Sequence, residues 1–229
     1  MGLSPHRRIT SLTPLLVVVA LVCGCGSNGG DTGTPTATIS ASQTGPPSGT
    51  PLAAFRPFAE NVKQALLNGD VSSILGTAVQ STITCKNELG LCAGQPSGST
   101  ATGLPHVVWQ QDSDTVLSSE AFGSVMKEFL GATSQTPPPG YPKFAAIIAI
   151  DNPERISEVF AGKGQLFGVV IASVVAQPEG APPAERAQVL LFQSDGSEWR
   201  LVGGINSGSA IEDWTSGSCS ECYDDWEAF

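Results

Sequence analysis

From Leu52 onward the chain shows two successive periodicities. Phe55, Phe58, Ala59, Val62 and Leu66 recur at helical spacing, one apolar stripe with polar residues opposite. Asn68-Gly69 predicts a stop, and Asp70 can cap a second, shorter helix carrying Val71, Ile74, Leu75 and Ala78. A third helix is predicted in SSEAFGSVMKEFLG. Ser118 or Ser119 can accept the free N–H groups of its first turn, and Glu120 suits the positive helix end. Phe122, Val125, Met126 and Phe129 form its stripe, and Gly131 stops it.

After TPPPGYP the pattern changes to strand. KFAAIIAI (143–150), LFGVVIASVVA (166–176) and AQVLLFQ (187–193) are rich in β-branched and aliphatic residues. FQSDGSEWRLV reads as a hairpin, with Asp195-Gly196 supplying the positive φ values of a tight turn. Trp199 and Leu201 alternate with Glu198 and Arg200, which leaves one face wet and favours antiparallel pairing. The expected fold is α+β, one domain over 52–229. Three N-terminal helices would pack on a curved, mostly antiparallel sheet of about four main strands. This order of elements resembles the nuclear-transport-factor-2-like cone fold, which includes SnoaL-like cyclases and steroid isomerases. The resemblance implies a sheet wrapped around the first helix and a pocket at the open end. It supplies no matching motif, so no catalytic residue is carried over. A simpler helix-on-sheet layer and a cystatin-like arrangement stay open as alternatives.

The N-terminus has a different character. Arg7 and Arg8 precede an apolar run from Leu15 to Val22. As a helix that run spans about 12 Å, against a bilayer core of roughly 30 Å, which is the layout of an export signal. No Phe-Leu follows the arginine pair, so a twin-arginine signal is not indicated. Val22-Cys23-Gly24-Cys25 resembles a bacterial lipoprotein lipobox, with small Gly24 before the cysteine and an aliphatic residue three positions before it. The pattern departs from the usual one in having Val22 and Cys23 in its first two places. The resemblance implies a signal peptide over 1–24, acylation of Cys25, and a chain held on the bacterial cell membrane facing outside the cytoplasm. A plain secreted protein and a Cys-x-Cys metal pair are the alternatives. Residues 25–51 would then be the lipidated cysteine and a Gly/Ser/Thr/Pro tether too poor in apolar residues to pack.

Composition narrows the function classes. A net charge of −10 with no basic patch argues against nucleic acid. Only His6 and His106 occur, and His106 alone would survive signal cleavage, so a multi-histidine metal site is excluded within one chain. His106, in GLPHVVWQ on a short strand, has no G-x-S-x-G partner for a hydrolase triad. Asp112 and Asp114 in QQDSDT lack the ligand series of a calcium loop. GKGQLFG (162–168) lacks the ending of a P-loop. Trp109, Trp199, Trp214 and Trp226 fit core or clamp roles better than a stacking platform.

With Cys23 and Cys25 set aside, Cys85, Cys92, Cys219 and Cys222 remain. An even number in an exported chain reads as disulfides, and local pairs close the shortest loops. The Cys219-x-x-Cys222 pair can also be read as a redox couple or half a zinc site. Its neighbours Glu221, Asp224 and Asp225 would raise a thiol pKa and suppress reactivity. No cofactor and no metal are expected. The reading is a membrane-anchored, non-catalytic binding module, with the lipid bilayer as one partner and a small molecule or envelope protein as another. A cone-fold enzyme drawing an acid or base from Asp112, Asp114 and His106 is the first alternative, and a thiol–disulfide oxidoreductase using Cys219 and Cys222 is the second.

Overall fold

The computed structural model describes residues 50–86, 89–109, 113–130, 140–175, 184–207, 211–215, 219 and 222–229. Helix α1 (Pro51–Leu67) opens on Thr50, whose hydroxyl accepts the Ala53 N–H at 3.3 Å, with Pro51 in the first turn. It ends at Asn68, and the Asp70 carboxylate accepts the Ser73 N–H at 3.1 Å to cap α2 (Val71–Leu75). Strands β1 (Ser81–Thr84), β2 (Thr100–Trp109) and β3 (Ser113–Leu117) follow, then α3 (Ser119–Phe129). A meander of β4 (Lys143–Ile150), β5 (Leu166–Val175), β6 (Ala184–Ser194) and β7 (Trp199–Ser207) comes next. A short α4 (Glu212–Thr215) and β8 (Asp225–Ala228) close the chain.

These elements correct the expected architecture. Among the described residues the sheet has eight strands instead of about four, in the order β1-β2-β7-β6-β5-β4-β8, with β3 also on β2. It is mixed, because β2 runs parallel to β7 while the other pairings are antiparallel. Nor are three helices stacked at the N-terminus: three strands precede α3, and α4 lies near the C-terminus. The added strands lack the apolar texture that marks the meander. β3 begins Ser-Asp-Thr, and β8 reads Asp-Trp-Glu-Ala with all four residues exposed, while the short strand expected around His106 is present and extends back to Thr100. Tertiary pairing overrides their weak intrinsic preference.

Each face of the sheet buries its own core. On one, Phe55 and Phe58 of α1 meet Phe167, Phe192 and Trp199, with ring centroids 4.9–5.9 Å apart. Val71 and Ile74 of α2 and Phe122 and Met126 of α3 complete that layer. On the other face, Ile148, Val170, Val189 and Ile205 pack beneath Phe160, Ile211, Trp214 and Tyr223. Central β5 is buried on both sides, so it reads as a nearly continuous apolar run broken only by Ser173. The seam between β2 and β7 requires glycine. A Cβ on Gly203, whose φ is +155°, would lie 2.6 Å from the Pro105 carbonyl oxygen, and one on Gly204 would crowd the Phe122 ring.

The C-terminal segment docks along the far edge. Asp224 N–H donates to the Ala149 carbonyl at 2.8 Å, and Arg56 of α1 donates to the Ala228 carbonyl at 2.6 Å while pairing with Glu227. Among the described residues no helix is long and apolar enough to cross a membrane. The aromatic cluster is the fastening of α1, and Phe55 is fully buried within it. Phe55→Ala is expected to lower the unfolding free energy by about 3–5 kcal/mol in a denaturant titration. A change below ~1 kcal/mol would show that α1 is not held there.

Candidate functional site

A cleft of about 970 Å³ opens to solvent on the sheet face opposite α1. Thr82, Ile83 and Thr84 of β1 form one wall, with Lys86 beyond them at the rim. Val107 and Asp114 contribute from β2 and β3, and residues 154–159 face them. That facing segment is two 3-10 turns, Pro153–Arg155 and Glu158–Phe160, joined through Ser157. Ser157 caps the second turn by accepting the Val159 N–H at 3.1 Å, and its own hydroxyl donates to Asp114. Phe160 is fully buried beneath the turn, so the segment has an apolar anchor as well as a polar one.

The charged groups of the cleft are already engaged within the chain. Lys86 donates to Glu158 across the rim, a contact that raises the lysine pKa and lowers that of the glutamate. Arg155 reaches Asp224 at 2.6 Å, and the same carboxylate oxygen accepts the Asp151 N–H at 2.6 Å. Glu154 accepts the Gly162 N–H at 3.1 Å. These contacts tie the 151–162 segment to the domain, and the exposed Lys86–Glu158 pair adds little stability in water. The disulfide between Cys85 and Cys92, Cα atoms 5.5 Å apart, sets the position of Lys86. The two cysteines pack with Ala101 and Val116, and Leu89 accepts the Thr115 hydroxyl at 2.8 Å.

The residues singled out as possible acids and bases are not brought together. In the β2–β3 register His106 pairs with Thr115, and Val107 pairs with Asp114. Neighbouring residues of a strand point to opposite faces, so Asp114 looks into the cleft while His106 lies under α3. The His106 ring stands edge-on to Phe122 at 6.2 Å, is 7% exposed, and leaves Nε2 without a hydrogen bond. Asp112 lies outside the described residues, as do Cys25 and the whole of 1–49. Trp214 is a core residue that donates to Ser207 at 2.9 Å, Trp199 is half-buried against the helix-side core, and Trp226 on β8 is 39% exposed. The side chain of Trp109 is outside the described set.

Cys219 and Cys222 form the second disulfide, their Cα atoms 5.2 Å apart. Cys222 is 1% exposed, packed with Trp214 and Tyr223, and the chain leads from it into β8 and not into a helix. A reactive C-x-x-C draws thiolate stability from a helix N-terminus, which the described residues do not provide here. Among those residues no group of three or more His, Cys, Asp or Glu side chains converges to hold a metal.

Sequence reasoning missed Lys86, Glu154, Arg155, Ser157 and Glu158. A signal was present: DNPERISEVFAGKGQ is a long connection between two apolar strands, with proline and serine in capping positions. It also missed Gln188, which lies 1% exposed on the helix side among Leu66, Met126 and Leu130 with neither amide atom bonded. Comparisons of the chain with protein-family models, with curated proteins and with solved structures find no match.

Burial lowers the His106 pKa to about 4, from an ordinary value near 6.5. The unfolded chain therefore takes up a proton between these values that the folded chain refuses. Stability from this group is full above pH ~6.5 and falls as the pH drops toward 4, by up to about 3 kcal/mol. Denaturant midpoints measured from pH 7 to 4 should decline more steeply in the wild type than in His106→Leu. Parallel curves would show that His106 is not buried as a neutral imidazole.

Proposed function

We propose that the chain is a lipid-anchored, extracytoplasmic protein whose folded domain is a non-catalytic binding module, with the 970 Å³ cleft as its working surface. One observation carries the non-catalytic part: His106 and Asp114 stand on opposite faces of the sheet, so neither can complete the other's proton transfer. Ser157, whose hydroxyl donates to Asp114 in the cleft, is committed as a turn cap and has no imidazole beside it among the described residues. The buried Cys222 and the strand that follows it also speak against thiol–disulfide exchange. What remains is a preformed concave surface with polar and apolar walls, suited to a small molecule or a segment of an envelope protein.

The anchored location is supported by two independent features. Val22-Cys23-Gly24-Cys25 ends the short apolar run, and two disulfides in a chain of this size suit an oxidising compartment outside the cytoplasm. The bilayer is then a partner through the acyl chains on Cys25.

Mass spectrometry of protein extracted from membranes with detergent is expected to find a diacylglyceryl cysteine at position 25 as the first residue. The Cys25→Ser variant is expected in the soluble fraction. An unmodified wild type recovered from the medium, or a Cys25→Ser chain still in the membrane, would remove the anchor.

A further inference from the structure

We propose that the cleft takes an extended peptide, which adds as a strand to the free edge of β1 and sets a basic side chain among the acids of the opposite wall. The proposal rests on the binding reading above and names the occupant of the same site.

The backbone of β1 carries the first half. In the sheet order β1 is terminal, paired with β2 and, among the described residues, with no strand on its other side. Cys85 N–H donates to the Ser99 carbonyl at 2.7 Å, and the Cys85 carbonyl accepts the Gly98 N–H at 3.1 Å. Antiparallel hydrogen-bonded pairs recur every second residue, so Ile83, opposite Ala101, is the next residue bonded to β2. The N–H and C=O groups of Thr82 and Thr84 therefore point away from β2. Both residues line the cleft. An unpaired strand edge bordering a preformed concavity is the geometry of strand addition, in which main-chain hydrogen bonds give affinity and alternate side chains enter pockets. The volume of about 970 Å³ stands at the upper end of ordinary ligand sites, roughly 300–1,000 Å³, and accommodates a short segment of chain.

The charge of the walls carries the second half. Asp114, Glu154 and Glu158 line the cleft against Lys86 and Arg155, and Arg155 is held by Asp224 from outside the cleft lining. The whole chain carries a net charge of −10. A lysine or arginine on the bound strand meets a favourable field, and an acidic residue there meets an unfavourable one. Val107, Ile156 and Val159 supply apolar contact for the side chains on either side of it.

The test uses the full-length, isotope-labelled protein and the synthetic peptide Thr-Val-Lys-Val-Thr, acetylated and amidated at its ends. Titration should shift the backbone amides of Thr82 and Thr84 and slow their exchange with solvent. Two N-methylated versions of the peptide carry their methyl groups on alternate backbone amides. One should lose binding and the other retain it, because only one set of amides faces β1. Replacing the lysine with glutamate should weaken binding about two- to five-fold, the range of a solvent-accessible charge pair. Absence of any shift at millimolar peptide, shifts confined to residues away from β1, or equal binding of the two methylated peptides would overturn the proposal. Those results with Cys25 acylated would remove the peptide and leave the anchored module standing. An unacylated Cys25 would remove the anchor whether or not the peptide binds.

Discussion

The parallel pairing of β2 with β7 is the contact on which the remainder of this domain depends. Among the described residues it is the one strand pairing that joins the β1–β2–β3 unit to the meander of β4 to β7, and it does so between segments far apart in the chain. Parallel pairing across such a separation has a large loop-closure cost and needs close approach to be worthwhile. Gly203 and Gly204 provide that approach, one where Pro105 turns its carbonyl toward β7 and the other under the Phe122 ring. Once the seam is closed, one face presents a continuous floor to α1, α2 and α3. The other brings Val107 and Asp114 opposite the 153–160 turns. The cleft is a consequence of the seam and belongs to neither half alone.

The same geometry underlies the proposal of a binding surface. A strand assigns adjacent residues to opposite faces, so the β2–β3 register separates His106 from Asp114. His106 becomes a buried, neutral ring whose cost is borne by the aromatic core. Asp114 becomes a fastening for Ser157 and thereby for the opposite wall. The two disulfides act at the periphery in the same spirit. Cys85–Cys92 fixes the loop that carries Lys86, and Cys219–Cys222 closes the turn that leads into β8. Each closes a short loop, which stabilises less by chain entropy than a long one but holds local geometry tightly.

Much of this fold was legible in the sequence where periodicity and burial coincide. The stripe of Phe55, Phe58, Val62 and Leu66, the Asp70 cap and the runs that became β4, β5, β6 and β7 all state their structure locally. The short strand expected around His106 is there as β2, but β1, β3 and β8 do not state theirs. In β2 what stayed hidden was its extent and its three partners, since the close approach at Gly103 and the pairing of Pro105 with Val116 are set by its neighbours. β8 is acidic and exposed, and it is a strand only because β4 offers an edge and Arg56 holds its end. The candidate site was less legible still. Asp114 stood out as an acid without a role, while Lys86 and the 154–158 segment gain meaning only from a pairing that no local pattern encodes. Gln188 was hidden inside an apolar run, and its unbonded amide is apparent only once the helices cover it.

Residue-resolved hydrogen exchange on the Gly203→Ala variant tests most directly whether the β2–β7 seam is the constraint that builds the cleft. The substitution places a methyl group against the Pro105 carbonyl at a positive φ. Amides of His106–Trp109 and Ile205–Ser207 should exchange at least ten-fold faster than in the wild type, corresponding to about 1.4 kcal/mol of local opening. Amides at the centre of β5, Val169 to Ile171, should keep their protection, because they pair only with β4 and β6. Unchanged exchange along β2, or an equal loss of protection in β5, would contradict the account.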